Sequence, residues 1–216
     1  MKLFHGAIVN VLLLSAVAAV GVGWSIEHRR LLAANAALRD LQAQIAAGAP
    51  SNQTLERKRV PLAGAAKGSI HAPITIVEFS DFQCPYSGRV TVTIDQIFAE
   101  YLGQIRIYFR HAPLPFHVDA PLAAEAALAA EAEGKLWEMH DKLFASQRNL
   151  TREDLEEYAS ELGLDMTRFR RALDTRAYKS RVEQDLAAAE QFGAKGTPVF
   201  FINGRMLTGA QPIGAF

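Results

Sequence analysis

Between residues 74 and 110 a strand, a helix and a second strand follow one another in the sequence, and that order restricts the fold more than any other feature. Ile74–Phe79 (ITIVEF) is a short, apolar, β-branched run of the kind a buried strand needs. Ser80 to Gln83 form a loop. Cys84-Pro85 then opens a segment to about Tyr101 in which Val90, Ile94, Ile97, Phe98 and Tyr101 fall on one helical face. Proline is tolerated in a first helical turn because its missing N–H would find no partner there. Gln104–Arg110 (QIRIYFR) alternates as a second strand. Two parallel strands cannot be closed by a tight hairpin, so strand, helix and strand in this order predict a parallel crossover.

Between about Ala120 and Phe192, four stretches carry amphipathic helical spacing: AAEAALAAEAEGKLWEMHDKLF, TREDLEEYASELG, MTRFRRAL and SRVEQDLAAAEQFG. They predict a separate helical cap at about 118–192. Thr151 with Asp154 three residues on is a helix start, and Gly163 a helix end. Thr197–Leu207 (TPVFFINGRML) then gives an apolar strand, an Asn-Gly turn and a second strand, a strong hairpin signal. The whole reads as an α/β domain with a helical insertion.

A chain of 216 residues has room for one sizeable domain and an accessory segment. Its 23 basic and 23 acidic side chains balance, so nothing marks a nucleic-acid surface. A single cysteine excludes an intramolecular disulfide and a Cys-rich zinc site. The six histidines, at 5, 28, 71, 111, 117 and 140, include no pair spaced to ligate from one helix face, so no metal site is expected. Trp137, Met139 and Phe144 in the cap read as helix packing.

The first 28 residues read as a membrane anchor or a cleaved signal. Ala7 to Ile26 is an uncharged run of 20 residues, about the length a helix needs to cross the hydrocarbon core, and Ala16-Val17-Ala18 offers a small-residue cleavage site. Residues 29–47 read as a juxtamembrane helix. In it Leu31, Ala34, Leu38, Leu41 and Ile45 recur at steps of three and four, either as a seam that pairs two anchors into a homodimer through 31–45 or as a solvated spacer. Residues 48–67, opening on Gly48-Ala49-Pro50, read as a linker with a basic cluster at Arg57-Lys58-Arg59.

Phe82-Gln83-Cys84-Pro85-Tyr86-Ser87 after a strand and Gly196-Thr197-Pro198 before one resemble the DsbA-like branch of the thioredoxin superfamily. Pro113-Leu114-Pro115 with His117, and Gly134-Lys135-Leu136-Trp137-Glu138-Met139-His140-Asp141 in the cap, add to that resemblance. It implies a thioredoxin fold with an inserted helical domain over about 68–216, preceded by a transmembrane or signal helix. It further implies thiol–disulfide exchange outside the cytoplasm, in the periplasm or cell envelope. Cys84 would be the nucleophile, Pro198 the cis-proline beside it, Glu78 a buried acid that moves protons, and Pro85, Tyr86, Gly196 and Thr197 the groups that meet substrate. The residues agree on the nucleophile: a helix amino terminus presents unpaired N–H groups and the positive end of the dipole, which favour thiolate over thiol.

The chain departs from the family's Cys-x-x-Cys at Ser87, where the second cysteine belongs. One thiolate alone stops at a mixed disulfide until an external thiol attacks it. Ser87 is expected to donate a hydrogen bond to the Cys84 thiolate. No cofactor is expected, though glutathione could serve as the external thiol. The partners expected are thiol- or disulfide-containing envelope proteins and, through the first helix, a membrane. Two rival readings share the residues: a redox-inert peptide-binding adaptor, and a glutathione-dependent enzyme resembling the kappa-class transferases, which use serine where this chain has Cys84. A closing helix that covers the sheet is expected after Gln211-Pro212 but is not found before Phe216, so either that helix is absent or the chain is cut short, and one sheet face would lack cover.

Overall fold

The computed structural model describes residues 57–216. The apolar run 7–26 and the juxtamembrane helix and homodimer seam expected at 29–47 and 31–45 lie outside those residues. Among the described residues no helix is long and apolar enough to cross a membrane.

The strands are β1 (Ala66–Gly68), β2 (Ile74–Ser80), β3 (Ile105–His111), β4 (Val199–Ile202) and β5 (Arg205–Thr208). They form a single sheet in the order β1-β3-β2-β4-β5. β2 and β3 pair in parallel from Ile74 against Ile105 to Ser80 against His111, as the crossover order predicts. The crossover is α1 (Pro85–Glu100). Strands covered on both faces read as nearly continuous apolar runs, and β2 shows why. Ile76, with Ile107 and Phe200, packs on Val90, Ile94 and Ile97 of α1. Val77 and Phe79, with Tyr108 and Phe201, pack on Ala188, Ala189 and Phe192 from the other side. The β4–β5 hairpin turns at Asn203 and Gly204, with φ of 47° and 85°, both in the left-handed region such a two-residue turn requires.

The second covering element closes the stretch 118–192 and packs two ways, its Val182 against Ala124 and Leu128 and its other end against the sheet. α2 (Ala120–Glu131), α3 (Leu136–Ala145), α4 (Arg152–Glu161) and α5 (Met166–Asp174) form the insertion, with a core of Met139, Leu143, Leu155 and Phe169. α6 (Lys179–Phe192) lies on the sheet. Amphipathic spacing shows that a helix has an apolar face but not which layer that face meets. Thr151 and Asp154 form the reciprocal capping box that starts α4.

Part of the expected linker is also folded. Within 57–67, Lys58 donates its backbone N–H to Gly204 (2.9 Å) and its ammonium to the Phe192 carbonyl (2.7 Å), and β1 pairs antiparallel with β3. The three-residue edge strand Ala-Lys-Gly has no β-branched signal to announce it. At the other end the expected gap in the sheet's cover is filled: Ile213–Ala215 is a 3-10 turn, and Phe216 sets its ring edge on Phe200 at 4.9 Å.

A buried ion pair joins α6 to β3. Arg110 Nε donates to Asp185 Oδ1 at 2.6 Å, Asp185 Oδ2 accepts the His111 N–H at 3.0 Å, and Arg110 also reaches the Pro61 carbonyl at 2.8 Å. Asp185→Ala strands the guanidinium and is expected to lower unfolding free energy by about 3–5 kcal/mol. Asp174→Ala, which removes an exposed partner of Arg152, should cost ~1 kcal/mol or less. Urea unfolding of both variants checks the contrast.

Candidate active site

Cys84 is the N-cap of α1, with extended backbone (φ −75°, ψ 121°), and Pro85 opens the helix. The Cys84 carbonyl accepts the Gly88 N–H (3.1 Å), and its own N–H donates to the Asp81 carbonyl (3.1 Å). No side chain caps the helix, so its first N–H groups stand unclaimed by any cap beside the sulfur. The thiol donates to the Thr197 carbonyl at 3.5 Å, and the Thr197–Pro198 peptide is cis. The structure thus brings together Cys84, Thr197 and Pro198 from opposite ends of the domain. Pro198 is buried, Gly196 and Thr197 are half-buried, and Pro85 and Tyr86 are exposed. Cys84 itself is only 3% exposed, so the sulfur lies beneath this surface rather than on it.

The expected bond from Ser87 to sulfur is not formed. Ser87 is fully buried, and its hydroxyl oxygen accepts the Asp81 N–H at 3.5 Å. A buried amide needs an acceptor, and the serine one turn into α1 supplies it.

Sequence reasoning missed the residues that hold this loop. Asp81, 2% exposed, accepts the Gln83 N–H (2.7 Å) on one carboxylate oxygen, and the other meets the Leu114 N–H and His117 Nδ1, each at 2.7 Å. The aspartate-to-amide step of two residues is a turn signal that SDFQ offered. Gln83 and Asp119 exchange hydrogen bonds: Gln83 Nε2 donates to the carboxylate at 3.1 Å, and Gln83 Oε1 accepts the Asp119 N–H at 3.0 Å. Phe82 stacks on Phe109 at 5.0 Å and meets Phe144 of α3 at 4.9 Å. Gln147, after α3, donates to the carbonyls of Phe82 (2.8 Å) and Cys84 (2.9 Å). Nothing local marks the other partners, because they lie 27 to 65 residues away in the chain from the loop residues they meet.

Glu78 shares the α1 face of β2 with Ile76, by strand alternation. Burial pushes its carboxyl from 4.5 up to about 7, with the Ser80 hydroxyl beside it pulling the other way. His111, at the end of β3, is pushed down to about 4 by burial, and its Nδ1 has no hydrogen-bond partner among the described residues.

Residues 75–216 match the DSBA-like thioredoxin domain. The chain belongs to the DsbA-like thioredoxin family. Its fold is similar to a thioredoxin-like oxidoreductase from Silicibacter pomeroyi, 26% identical with a TM-score of 0.63 over 70% of this chain and 86% of that one. BdbD from Bacillus subtilis, in its oxidised form, is 23% identical with a TM-score of 0.63 over 71% and 92%. A periplasmic thioredoxin-like protein from Salmonella enterica serovar Typhimurium is 22% identical with a TM-score of 0.57 over 69% and 83%. In sequence, the Na(+)/H(+) antiporter NhaA 3 of Salinispora tropica is 43% identical over 150 residues, 69% of this chain and 23% of that protein. The antiporter NhaA of Herminiimonas arsenicoxydans is also 43% identical, over 144 residues and 23% of its length. This DsbA-like chain therefore spans less than a quarter of these curated relatives.

The buried acid of the DsbA-like core leaves a pH signature. Folded Glu78 keeps its proton up to about pH 7, whereas the unfolded chain releases it near 4.5. That contribution to stability is complete below the lower value and is lost as pH rises through the upper one. Glu78→Gln should match the native chain near pH 4 and exceed it by ~3 kcal/mol above neutrality. Denaturant unfolding at both pH values checks the widening difference.

Proposed function

We propose that this domain exchanges thiols and disulfides through Cys84 alone, by way of mixed disulfides. The observation that carries the reading is the helix-capping Cys84, with its sulfur 3.5 Å from the Thr197 carbonyl at the cis Thr197–Pro198 peptide. The Cys84 thiolate attacks one sulfur of a client disulfide. The Cys84–client bond forms, the client bond breaks, and the departing sulfur leaves as a thiolate that takes up a proton. Glu78, whose carboxyl titrates near 7, is suited to trading that proton at neutral pH.

No second cysteine exists in the chain to break the mixed disulfide. An external thiolate, from glutathione or a protein, attacks the client sulfur and releases Cys84. When the attacking thiolate belongs to the client, the outcome is isomerisation; when it belongs to another molecule, the client is left in a mixed disulfide with that molecule, and a second thiol must attack it to give the reduced client and an oxidised disulfide of the two thiols. Ser87 keeps the loop folded in this scheme and does not resolve the intermediate.

Clients would meet an apolar rim. Tyr86, Phe116 and Val118 are 54%, 71% and 82% exposed around the loop that holds Cys84, the kind of surface that suits an extended, partly apolar polypeptide. Gly196 and Thr197 offer backbone at its edge. Envelope proteins fit this description, and an extracytoplasmic setting is supported by the uncharged run 7–26 and by the periplasmic relative from Salmonella.

A peptide-disulfide assay tests the scheme. The native chain should turn over only with added glutathione, and Cys84→Ala should not turn over at all. Ser87→Cys should form an internal disulfide and oxidise a dithiol peptide without glutathione. Binding of the peptide with equal affinity by the native chain and Cys84→Ala, with no turnover in any buffer, would favour the adaptor.

A further inference from the structure

Gly88 stands in the first turns of α1, where glycine costs about 1 kcal/mol relative to alanine. Its φ is not in the left-handed region, so the backbone does not demand it. A Cβ there would meet Gln147 Oε1, so the carboxamide at the end of that side chain would have to move aside. The Gln147 carboxamide is pressed against the α1 backbone, and its NH2 group is divided between the carbonyls of Phe82 and Cys84.

We infer that Gln147 is a positioning residue for the Cys84 thiolate, inserted from the helical domain and admitted by the missing side chain at Gly88. The inference rests on Cys84 being the nucleophile. Two carbonyl dipoles flank the sulfur's own residue, and their negative ends would oppose a thiolate nearby. The Gln147 N–H groups engage both oxygens and fix the turn that holds the sulfur at Thr197. Phe82 O has no other hydrogen-bond partner among the described residues. Cys84 O retains only the Gly88 N–H once Gln147 is removed. The amide therefore acts on the sulfur through the backbone, without touching a substrate.

Two measurements on the full chain separate this role from simple packing. Gln147→Met keeps the volume and removes both donors. Its Cys84 should react with iodoacetamide at pH 6 at least about fivefold more slowly than the native chain, since two hydrogen bonds are lost and one alone is worth about that factor. The deficit should shrink as pH rises. Equal rates across pH, with stability alone reduced, would overturn the inference. A native Cys84 no more reactive than that of the urea-unfolded chain would instead count against the nucleophile itself.

The second measurement does not depend on reactivity. Gly88→Ala should displace the carboxamide, so it should stabilise the Gln147→Ala chain more than it stabilises the native chain. Additive effects of the two substitutions in urea unfolding would contradict the contact on which the inference stands.

Discussion

The carboxylate of Asp81 is buried, and the position of the reactive cysteine follows from the groups that surround it. Gln83 and Leu114 donate backbone N–H groups to it, and His117 meets it through a ring nitrogen. A charge taken out of water needs such partners, and three of them together fix the loop between β2 and α1 in one shape. The Asp81 backbone extends the same control into the helix: its carbonyl accepts from Cys84, and its N–H is received by Ser87. Removing this carboxylate would leave Gln83, Leu114 and His117 without their common anchor.

From that anchor the site grows outward as a joint between two layers. The thioredoxin sheet supplies β2, α1 and the Thr197–Pro198 peptide. The helical insertion supplies Asp119, Phe144 and Gln147. Phe82 passes from one to the other, stacked on Phe109 of β3 and against Phe144 of α3. Loss of the insertion would therefore expose Phe82 and free the loop, not merely shorten the protein. The same joint accounts for the depth of the sulfur. With the cap closed over the loop, Cys84 is 3% exposed, while Tyr86, Phe116 and Val118 remain outside as a rim.

The sequence made the core of this arrangement legible. ITIVEF and QIRIYFR became β2 and β3 in parallel register, the Cys84-Pro85 step became a helix start, and Asn203-Gly204 became the hairpin turn. Each carries a local signal with a physical cause: β-branching, a tolerated first-turn proline, a pair of residues that accept positive φ. The failures share a cause too. β1 is Ala-Lys-Gly, held by its pairing with β3 rather than by its own residues. α6 has the same amphipathic pattern as the cap helices, and only its packing on Phe79 and Phe201 assigns it to the sheet. Ser87 was read as a hydrogen-bond donor to the sulfur, but its burial inside the loop, with its oxygen turned to the Asp81 N–H, could be known only once the loop was folded. Gln83, Asp119 and Gln147 are ordinary polar residues in the sequence and acquire meaning through contacts across 36 to 65 residues.

In the proposed exchange one sulfur forms a covalent intermediate that the chain cannot resolve by itself. Intact mass of the full chain after exposure to oxidised glutathione measures this directly. A single glutathione adduct, placed on Cys84 by peptide mapping, should persist after the reagent is removed and be discharged when a fresh thiol is added. An unmodified mass, under conditions where the urea-unfolded chain is fully modified, would contradict it.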